Sequence, residues 1–188
     1  MTQQRQVQHR PERAEDRLAV REVHLRAFGD HGPLVADLVD DLRARVGAGR
    51  GTSLVAQAAD GVVGHVGLTD ALLDAPRRLV TVSVLSPLAV LPAAQRRGVG
   101  RALVAAALRH ESARGVPLVF LEGDPGYYSR LGFEPGAPRG FRKPSLRIPD
   151  AAFQVFPLPA HEPWMTGTLV YPDVFWRHDA VGLRDPGA

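Results

Sequence analysis

The chain has 188 residues, of which 45% are hydrophobic, enough to bury one ordinary globular core. It contains no cysteine, which excludes disulfide bonds, thiolate metal sites and a cysteine nucleophile. The formal net charge is only +3 and the basic residues are dispersed along the chain, a pattern that argues against a nucleic-acid-binding protein.

The first half of the chain alternates apolar stretches with polar or glycine-rich breaks. A polar segment, residues 1–6, precedes the first apolar residues and is expected to be flexible. Asp60-Gly61 lies between two apolar runs and is a strong hairpin signal. We therefore predict a strand, two helices and a β-hairpin, over Val7–Arg10, Glu15–Phe28, Leu34–Val46, and Ser53–Ala58 with Val62–Thr69.

The second half begins with a long apolar run, Leu79–Leu91, which is typical of a buried strand. The Ala/Leu-rich segment Gly98–Arg114 predicts a helix that ends at Gly115. A strand, a short helix, a loop and a last strand are then predicted over Val116–Glu122, Tyr127–Leu131, Gly136–Pro149 and Phe153–Leu158. The resulting order, β-α-α-β-β-β-α-β-α-β, predicts an α/β fold with a mixed central sheet and helices on both faces.

The turn Gln95–Gly100, between the long strand and the following helix, is the most informative segment of the chain. A glycine-rich turn that opens a helix offers free backbone N–H groups at the positive end of the helix dipole. Helix starts normally favour acidic residues, yet Arg96, Arg97 and Arg101 crowd this first turn. The pattern is explained if the turn binds a highly charged anion such as a pyrophosphate.

This turn resembles the signature of the GNAT superfamily of acyl-CoA-dependent N-acetyltransferases, which is met by Gln95, Gly98 and Gly100. A second element of the family, an aromatic pair followed by Gly-Phe, is matched by Tyr127–Phe133. The run Gly123–Tyr128, Gly-Asp-Pro-Gly-Tyr-Tyr, is similar to a bacterial branch of that family. The resemblance implies one acetyltransferase domain over residues 7–158, followed by a partly packed extension over 159–188.

The resemblance implies that the chain moves an acetyl group from acetyl-CoA to a primary amine by direct attack of the amine on the thioester. It implies that the long strand splays from its neighbour and holds the cofactor, with no metal taking part. The family's pantetheine-binding strand end and pyrophosphate loop map to Leu88, Ala89 and Val90, and to Gln95, Arg96, Arg97, Gly98, Val99, Gly100 and Arg101.

The resemblance also implies an acid and a base. Tyr128 matches the tyrosine that many family members use to protonate the leaving thiolate, with a core residue whose hydroxyl is satisfied as the alternative. Glu122, at the end of a predicted strand, is the candidate base, with an exposed strand-edge charge as the alternative. His65, in the second strand of the hairpin, is a further candidate base.

Two alternatives stay open from the sequence. One is a non-catalytic CoA-binding sensor or interaction domain, and the other is an enzyme that takes a longer acyl-CoA. The acceptor is a small-molecule amine or a protein amine that the sequence does not identify. No leader segment and no apolar run of membrane-spanning length is evident. We therefore expect a cytoplasmic monomer or homodimer that binds neither nucleic acid nor a membrane.

Overall fold

The computed structural model describes residues 7–184, so the predicted flexible segment 1–6 lies outside the described residues. The described helices are α1 (Arg17–Phe28), α2 (Gly32–Gly47), α3 (Val99–Ala113), α4 (Pro125–Tyr128) and α5 (Asp173–Arg177). The strands are β1 (Gln8–Pro11), β2 (Gly51–Ala58), β3 (Gly61–Asp74), β4 (Leu79–Val90), β5 (Leu118–Glu122), β6 (Glu134–Pro135), β7 (Phe141–Arg142), β8 (Phe153–Pro157) and β9 (Gly167–Val170).

The predicted α/β fold with a mixed sheet is confirmed, because β4 and β5 pair in parallel whereas most other neighbours are antiparallel. The predicted elements appear in the predicted order, within a few residues of their expected bounds. The main difference is β3, which continues to Asp74 instead of ending near Thr69. Its extra residues pair with β9, from Leu72 opposite Val170 to Asp74 opposite Thr168.

The chain divides into two compact units, and each is described by itself. The first unit comprises the described residues up to Leu68 together with Ser86–His110. It contains α1, α2, most of α3, β1, β2 and parts of β3 and β4. Its core includes Val20, Val23 and Val39 from the two helices, packed with apolar residues of the strands.

The second unit comprises Thr69–Leu85 and the described residues from Glu111 onward. Here β5 pairs in parallel with β4 and antiparallel with β8, and β6 adds to the far side of β8. The segment predicted as a loop contains β7, which pairs in parallel with β9 from Phe141 opposite Gly167. Part of the segment 159–184 is therefore built into the sheet, although no apolar alternation in the sequence marks β9.

Candidate functional site

The turn between β4 and α3 has a backbone that only a few residue types adopt readily. Gly98 has φ +82° and Arg96 has φ +61°, both in the left-handed region. Glycine enters this region without steric cost. Apart from the residues on either side of it in the chain, no atom of the described residues 7–184 lies within 4 Å of the place where a Cβ of Gly98 would stand. The turn therefore bends sharply and leaves open space beside its backbone.

The first backbone amides of α3 have no acceptor inside the helix. The amide of Ala102 donates to the carbonyl of Gly98 at 3.0 Å, which starts the helical hydrogen-bond pattern. The amides of Val99, Gly100 and Arg101 precede that bond, so they are donors at the positive end of the helix dipole. This arrangement fits a phosphate or pyrophosphate group.

Side chains of the turn divide into anchors and exposed charges. The amide nitrogen Nε2 of Gln95 donates to the carbonyl of Val90 at 3.0 Å, which fastens the turn to the last residue of β4. The side chain of Val99 is buried, so the first residue of α3 is anchored in the protein interior. The side chains of Arg96, Arg97 and Arg101 are exposed, where guanidinium groups can meet an anion from solvent.

Strand β4 extends beyond its pairing with β5. The register between them joins Ser83 to Val119 and Val84 to Phe120, whereas β4 continues to Val90. The splaying of β4 from its neighbour, expected from the sequence, stays a prediction. The segment Leu88–Val90 lies in this extension, and its polar backbone groups are those that the resemblance assigns to the pantetheine arm.

Tyr128 lies at the end of α4 in the second unit and is packed among aromatic rings. Its ring centroid is 4.9 Å from that of Tyr127 and 5.6 Å from that of Phe133. A Cβ on Gly123 would stand 2.5 Å from the Tyr128 ring, so this close packing requires a glycine at position 123. Burial raises the pKa of the Tyr128 phenol above its ordinary range, so the hydroxyl keeps its proton at neutral pH.

Glu122 ends β5, and its carboxylate is held by two groups of the C-terminal segment. Oε2 accepts a hydrogen bond from the amide of Gly182 at 2.9 Å, and the hydroxyl of the buried Tyr171 also bonds to the carboxylate. Desolvation by burial raises the pKa of Glu122, which is the direction that suits a base at neutral pH. The same contacts also tie β5 to the segment around Gly182.

The first unit contains a group of hydrogen-bonded polar side chains, of which only His65 was named as a candidate from the sequence. It consists of His24, His65, Ser53 and Glu12, and we call it the relay cluster. His24 Nε2 lies 2.8 Å from His65 Nδ1, and His65 Nε2 lies 2.8 Å from Ser53 Oγ. Ser53 Oγ hydrogen-bonds to Glu12 Oε2, whose carboxylate also pairs with Arg43 at 2.9 Å. The four side chains form one continuous hydrogen-bonded row.

Charges and burial set the protonation of the relay cluster. Desolvation acts to raise the pKa of Glu12, but His65, Ser53 and Arg43 outweigh it and lower that pKa to about 2. Desolvation by burial, followed by the positive charges of neighbouring groups, lowers the pKa of His24 to about 3. At neutral pH Glu12 is therefore a carboxylate and His24 is an uncharged imidazole.

One feature of the sequence of α1 indicates the relay cluster, namely a histidine among the apolar residues of the buried helix face. The buried stripe of this helix includes Val20 and Val23, and His24 follows on the same face. His24 is fully buried, whereas the apolar Leu18 of the same helix is 83% exposed. A histidine in the core stripe of a helix indicates a polar partner inside the protein. No sequence rule identifies that partner on β3.

Glu12 and Ser53 also line an open cavity of about 330 Å³ in the first unit. Its wall includes Arg13, Arg17 and Arg43, together with residues at the C-terminal end of α2. One end of the relay cluster is thus next to a space large enough for several water molecules.

Among the described residues 7–184, no group of three or more His, Asp or Glu residues is placed to hold a metal ion. In the same range, no helix is both long and apolar enough to cross a bilayer.

A family model for the acetyltransferase (GNAT) domain matches residues 49–135. The chain is 38% identical over 120 residues to the uncharacterized N-acetyltransferase YjhQ of Escherichia coli strain K12. That match covers 63% of this chain and 64% of the relative, so the aligned part spans less than two thirds of each protein.

Two solved structures resemble the fold over nearly the whole chain. The first, the GNAT family N-acetyltransferase YhbS of Escherichia coli in complex with CoA, is 29% identical, with a TM-score of 0.81. The match covers 94% of this chain and 96% of that one. The second, a GNAT family acetyltransferase of Brucella melitensis in complex with acetyl-CoA, is 28% identical, with a TM-score of 0.71. It covers 91% of this chain and 99% of the other.

Proposed function

We propose that this chain is a member of the GNAT superfamily of N-acetyltransferases and that it transfers the acetyl group of acetyl-CoA to a primary amine. The observation that carries the proposal is the junction of β4 and α3. It combines the left-handed turn at Gly98 with the amides of Val99, Gly100 and Arg101 at the start of the helix. Two structures similar to the whole chain hold CoA or acetyl-CoA, which supports this use of the junction.

Each part of the junction has a role in binding the co-substrate. The amides at the start of α3 and the guanidinium groups of Arg96, Arg97 and Arg101 would bind the pyrophosphate. Gln95 holds the turn against β4 and so keeps these donors aligned with the strand. The extension of β4 over Leu88–Val90 would bind the pantetheine arm through its backbone groups.

Acetyl-CoA, when bound, supplies a thioester whose carbonyl carbon an uncharged amine can attack. A backbone N–H of the segment Leu88–Val90 would donate to the oxygen that becomes negative during the attack. Tyr128 would give its proton to the sulfur of the departing thiolate, since its phenol is protonated at neutral pH. Glu122 and His65 are the two candidates named from the sequence for taking a proton from the amine.

The acceptor is an amine of a small molecule or of a protein. The cytoplasmic location, the monomeric or homodimeric state and the place of the chain in the branch with the Gly-Asp-Pro run stay predictions. So do the boundaries of a single acetyltransferase domain over 7–158 and of an extension over 159–188.

A thermal-shift titration tests the co-substrate directly. A ligand at 100 times its Kd stabilises the folded state by about 2.7 kcal/mol, or roughly 5 to 10 °C in Tm for a chain of this size. We expect saturable shifts with acetyl-CoA and with CoA, and none with NADH or ATP at equal concentration. No shift at millimolar acetyl-CoA would refute the proposed binding site.

Binding alone does not distinguish an enzyme from a CoA-binding sensor. A screen of amines with acetyl-CoA, read out as release of free thiol, makes that distinction. Thiol release that depends on one amine class, with the acetylated amine identified by mass spectrometry, is the expected result. Tight acetyl-CoA binding without acetyl transfer to any small amine, peptide amino terminus or peptide lysine would favour the sensor.

A further inference from the structure

Tyr128, the proposed acid, lies on a helix that is too short to fix its own position. Helix α4 has four residues, and isolated helices of this length are unstable because few backbone bonds offset the cost of ordering the chain. Its hydrogen bonds run back to Asp124, whose carbonyl accepts from the amide of Tyr128 at 3.0 Å. The carboxylate of Asp124 accepts from the amide of Gly126 at 2.8 Å. The position of the phenol therefore depends on what holds the residues just before α4.

Gly123 is the residue against which the Tyr128 ring packs. A Cβ at this position would stand 2.5 Å from Cε2 and 2.8 Å from Cδ2 of the ring, closer than side-chain carbons approach. The ring thus contacts the Gly123 backbone itself, and a movement of that backbone displaces the ring. Glycine has no side chain to anchor it, so Gly123 is held only through its amide and its carbonyl.

Strand β8 and the residue before it supply a partner for each of these two backbone groups. One step beyond the last pair of the β5–β8 ladder, the amide of Gly123 donates to the carbonyl of Ala152 at 3.0 Å. The carbonyl of Gly123 accepts from Nε2 of Gln154 at 3.1 Å. Gln154 lies opposite Leu121 in the ladder, so its side chain extends along β5 to reach Gly123 two residues later. Gly123 is therefore fastened to β8 by one backbone bond and one side-chain bond.

Gln154 is a polar residue at a fully buried position of the sheet. It is 1% exposed, and its neighbours in β8, Phe153 and Val155, are apolar and equally buried. A buried amide needs a partner for its polar atoms, since an unmet donor lowers stability. Here the partner of the donor is the carbonyl of the residue that contacts the Tyr128 ring.

We propose that Gln154 is a positioning residue for the acid: it fixes the carbonyl of Gly123, and Gly123 fixes the ring of Tyr128. The inference rests on the proposed function, since it concerns the residue that would protonate the departing thiolate. Gln154 acts through Gly123 and takes no part in the proton transfer itself.

The proton transfer is the step that depends on this positioning. The O–H bond of the Tyr128 phenol breaks, an S–H bond forms on the thiolate, and the phenolate takes a proton from water before the next turnover. The proton passes only between atoms within hydrogen-bond reach, about 2.6 to 3.2 Å. Misplacing a reacting group by about 1 Å can cost on the order of 100-fold in rate. A loosened Gly123 should therefore lower kcat without changing the binding of acetyl-CoA.

Nuclear Overhauser spectra test the positioning without acetyl-CoA or an amine. The unmodified chain should give a strong cross-peak between the α-hydrogens of Gly123 and the ring hydrogens of Tyr128, and its three tyrosines keep the ring spectrum simple. Gln154→Met keeps an unbranched side chain of similar length but has no amide donor. We expect this variant to weaken the cross-peak and to shift the Tyr128 ring signals. An undiminished cross-peak in folded Gln154→Met would overturn the proposal.

Ser83→Ala is the matched control. Ser83 is fully buried in the same unit and donates to Glu111, so this variant also loses a buried side-chain hydrogen bond. Glu111 keeps its bonds to Arg114. The control should leave the cross-peak between Gly123 and Tyr128 as it is. A weakened cross-peak would mean that any lost bond in the unit displaces the ring, and the specific role of Gln154 would be refuted.

Gly123→Ala displaces the same ring by another route, which keeps the proposal testable if Gln154→Met folds poorly. The backbone of Gly123 is outside the left-handed region, so it accepts alanine, but the added methyl group would collide with the Tyr128 ring. We expect kcat to fall about 10-fold or more, because the phenol is moved from its position for proton transfer. Full activity of Gly123→Ala would show that the position of the ring does not govern turnover.

A double-mutant cycle distinguishes positioning of Tyr128 from general support of the fold. With an amine found by the thiol-release screen, Gln154→Met should lower kcat about 10-fold while the acetyl-CoA affinity is unchanged. In Tyr128→Phe, which has no phenolic proton to position, the same change should lower kcat less than about two-fold. Ser83→Ala should retain kcat in both backgrounds. Equal losses from Gln154→Met in the two backgrounds would overturn the proposal.

The two proposals fail in different ways. If acetyl-CoA produces no thermal shift, the proposed function is wrong whatever the NMR spectra show. If acetyl-CoA binds and the amine is acetylated, but the contact between Gly123 and Tyr128 survives Gln154→Met, only the positioning role of Gln154 is wrong.

Discussion

The turn Gln95–Arg101 and the relay cluster are the two chemically distinctive regions of the first unit, and they are built in opposite ways. The turn is one continuous stretch whose donors are backbone amides, and its arginine side chains are exposed. The relay cluster takes Glu12, His24, Ser53 and His65 from different elements and places their side chains in the interior. One region is encoded by neighbours in sequence, and the other exists only after the helices pack on the strands.

This difference determines what each region can tolerate. An anion site made of backbone amides depends on the path of the chain, so exposed side chains can change with little effect on folding. Removing one side chain from a buried hydrogen-bonded row lowers stability, because its former partner is left buried without a hydrogen bond. We therefore expect substitutions in the turn to impair binding, and substitutions in the relay cluster to impair stability.

The largest effect is expected from Gly100→Glu in the turn. A carboxylate on the first turn of α3 would stand among the amides that we propose bind the pyrophosphate, and it would repel that group. Like-charge contacts cost several kcal/mol, so acetyl-CoA affinity should fall at least about 100-fold in a calorimetric titration. The variant should still unfold cooperatively, because Gly100 is only partly buried.

Ala105→Glu is the matched control for that variant. It adds the same charge to an exposed position of the same helix, away from the turn. Its acetyl-CoA affinity should stay within a few-fold of the unmodified chain. Tight binding by Gly100→Glu would mean that the turn has only a structural role, and the contrast between the two regions would collapse.

The next largest effect is expected on kcat, from Tyr128→Phe in the segment Tyr127–Phe133. Tyr128→Phe removes the phenolic proton but keeps the ring that packs against Gly123. With an amine acceptor in hand, kcat should fall about 100-fold or more while the acetyl-CoA affinity stays the same. Tyr127→Phe is the control, and it should cost far less. Unchanged kcat in Tyr128→Phe would remove Tyr128 from the role of acid.

The features that could be predicted from the sequence are those encoded by consecutive residues. Helix bounds followed from apolar spacing and glycine stops, as at Gly115, which has φ +75°. The sharp turn before α3 followed from its own composition, because consecutive residues fix both the backbone path and the positions of the first amides of the helix. The hairpin at Asp60-Gly61 was predicted for the same reason.

Features that depend on distant residues were not predictable in this way. Strand β9 has no apolar alternation of its own and exists because the extended end of β3 offers it a pairing edge, as at Leu73 opposite Leu169. The relay cluster needs residues 41 positions apart, His24 and His65, to meet in the core. Spacing along the chain carries no signal for such a pair, whereas a lone histidine on an apolar helix face does suggest that a partner exists.

The relay cluster should reveal itself in the pH dependence of stability. The pKa of Glu12 in the folded chain, about 2, lies below its ordinary value of 4.5. Its charge therefore stabilises the fold fully above about pH 4.5, and that contribution is lost as the pH falls toward 2. Glu12→Gln should lower the free energy of unfolding by about 2 to 3 kcal/mol at neutral pH, and by much less near pH 2.

Urea unfolding of both proteins across this pH range measures the effect. Glu15→Gln, an exposed neighbour on the same segment, should change stability by less than about 0.5 kcal/mol at every pH. A penalty for Glu12→Gln that is the same at pH 7 and near pH 2 would show that the Glu12 charge does not stabilise the cluster.

The smallest expected effect is that of Arg96→Gly, which changes both the stability of the fold and the affinity for acetyl-CoA. Arg96 has φ +61°, and a left-handed conformation costs a residue with a side chain roughly 1 to 2 kcal/mol. Arg96→Gly removes that cost but gives the unfolded chain extra freedom worth about 0.4 to 1 kcal/mol. The net expectation is a gain of roughly 0.5 to 1 kcal/mol in the free energy of unfolding.

Acetyl-CoA affinity should move the other way, because an exposed guanidinium near the pyrophosphate has been lost. A single exposed charge contributes up to about 1 kcal/mol, so Kd should rise by roughly two- to five-fold, and less at high salt. Arg97→Gly loses the same charge from a residue outside the left-handed region, so it should weaken binding equally but also destabilise the fold. Opposite changes in stability with the same change in affinity would show that the turn uses Arg96 for its charge despite the strain of its backbone. A loss of stability in both variants would mean that the left-handed conformation at Arg96 costs too little to matter.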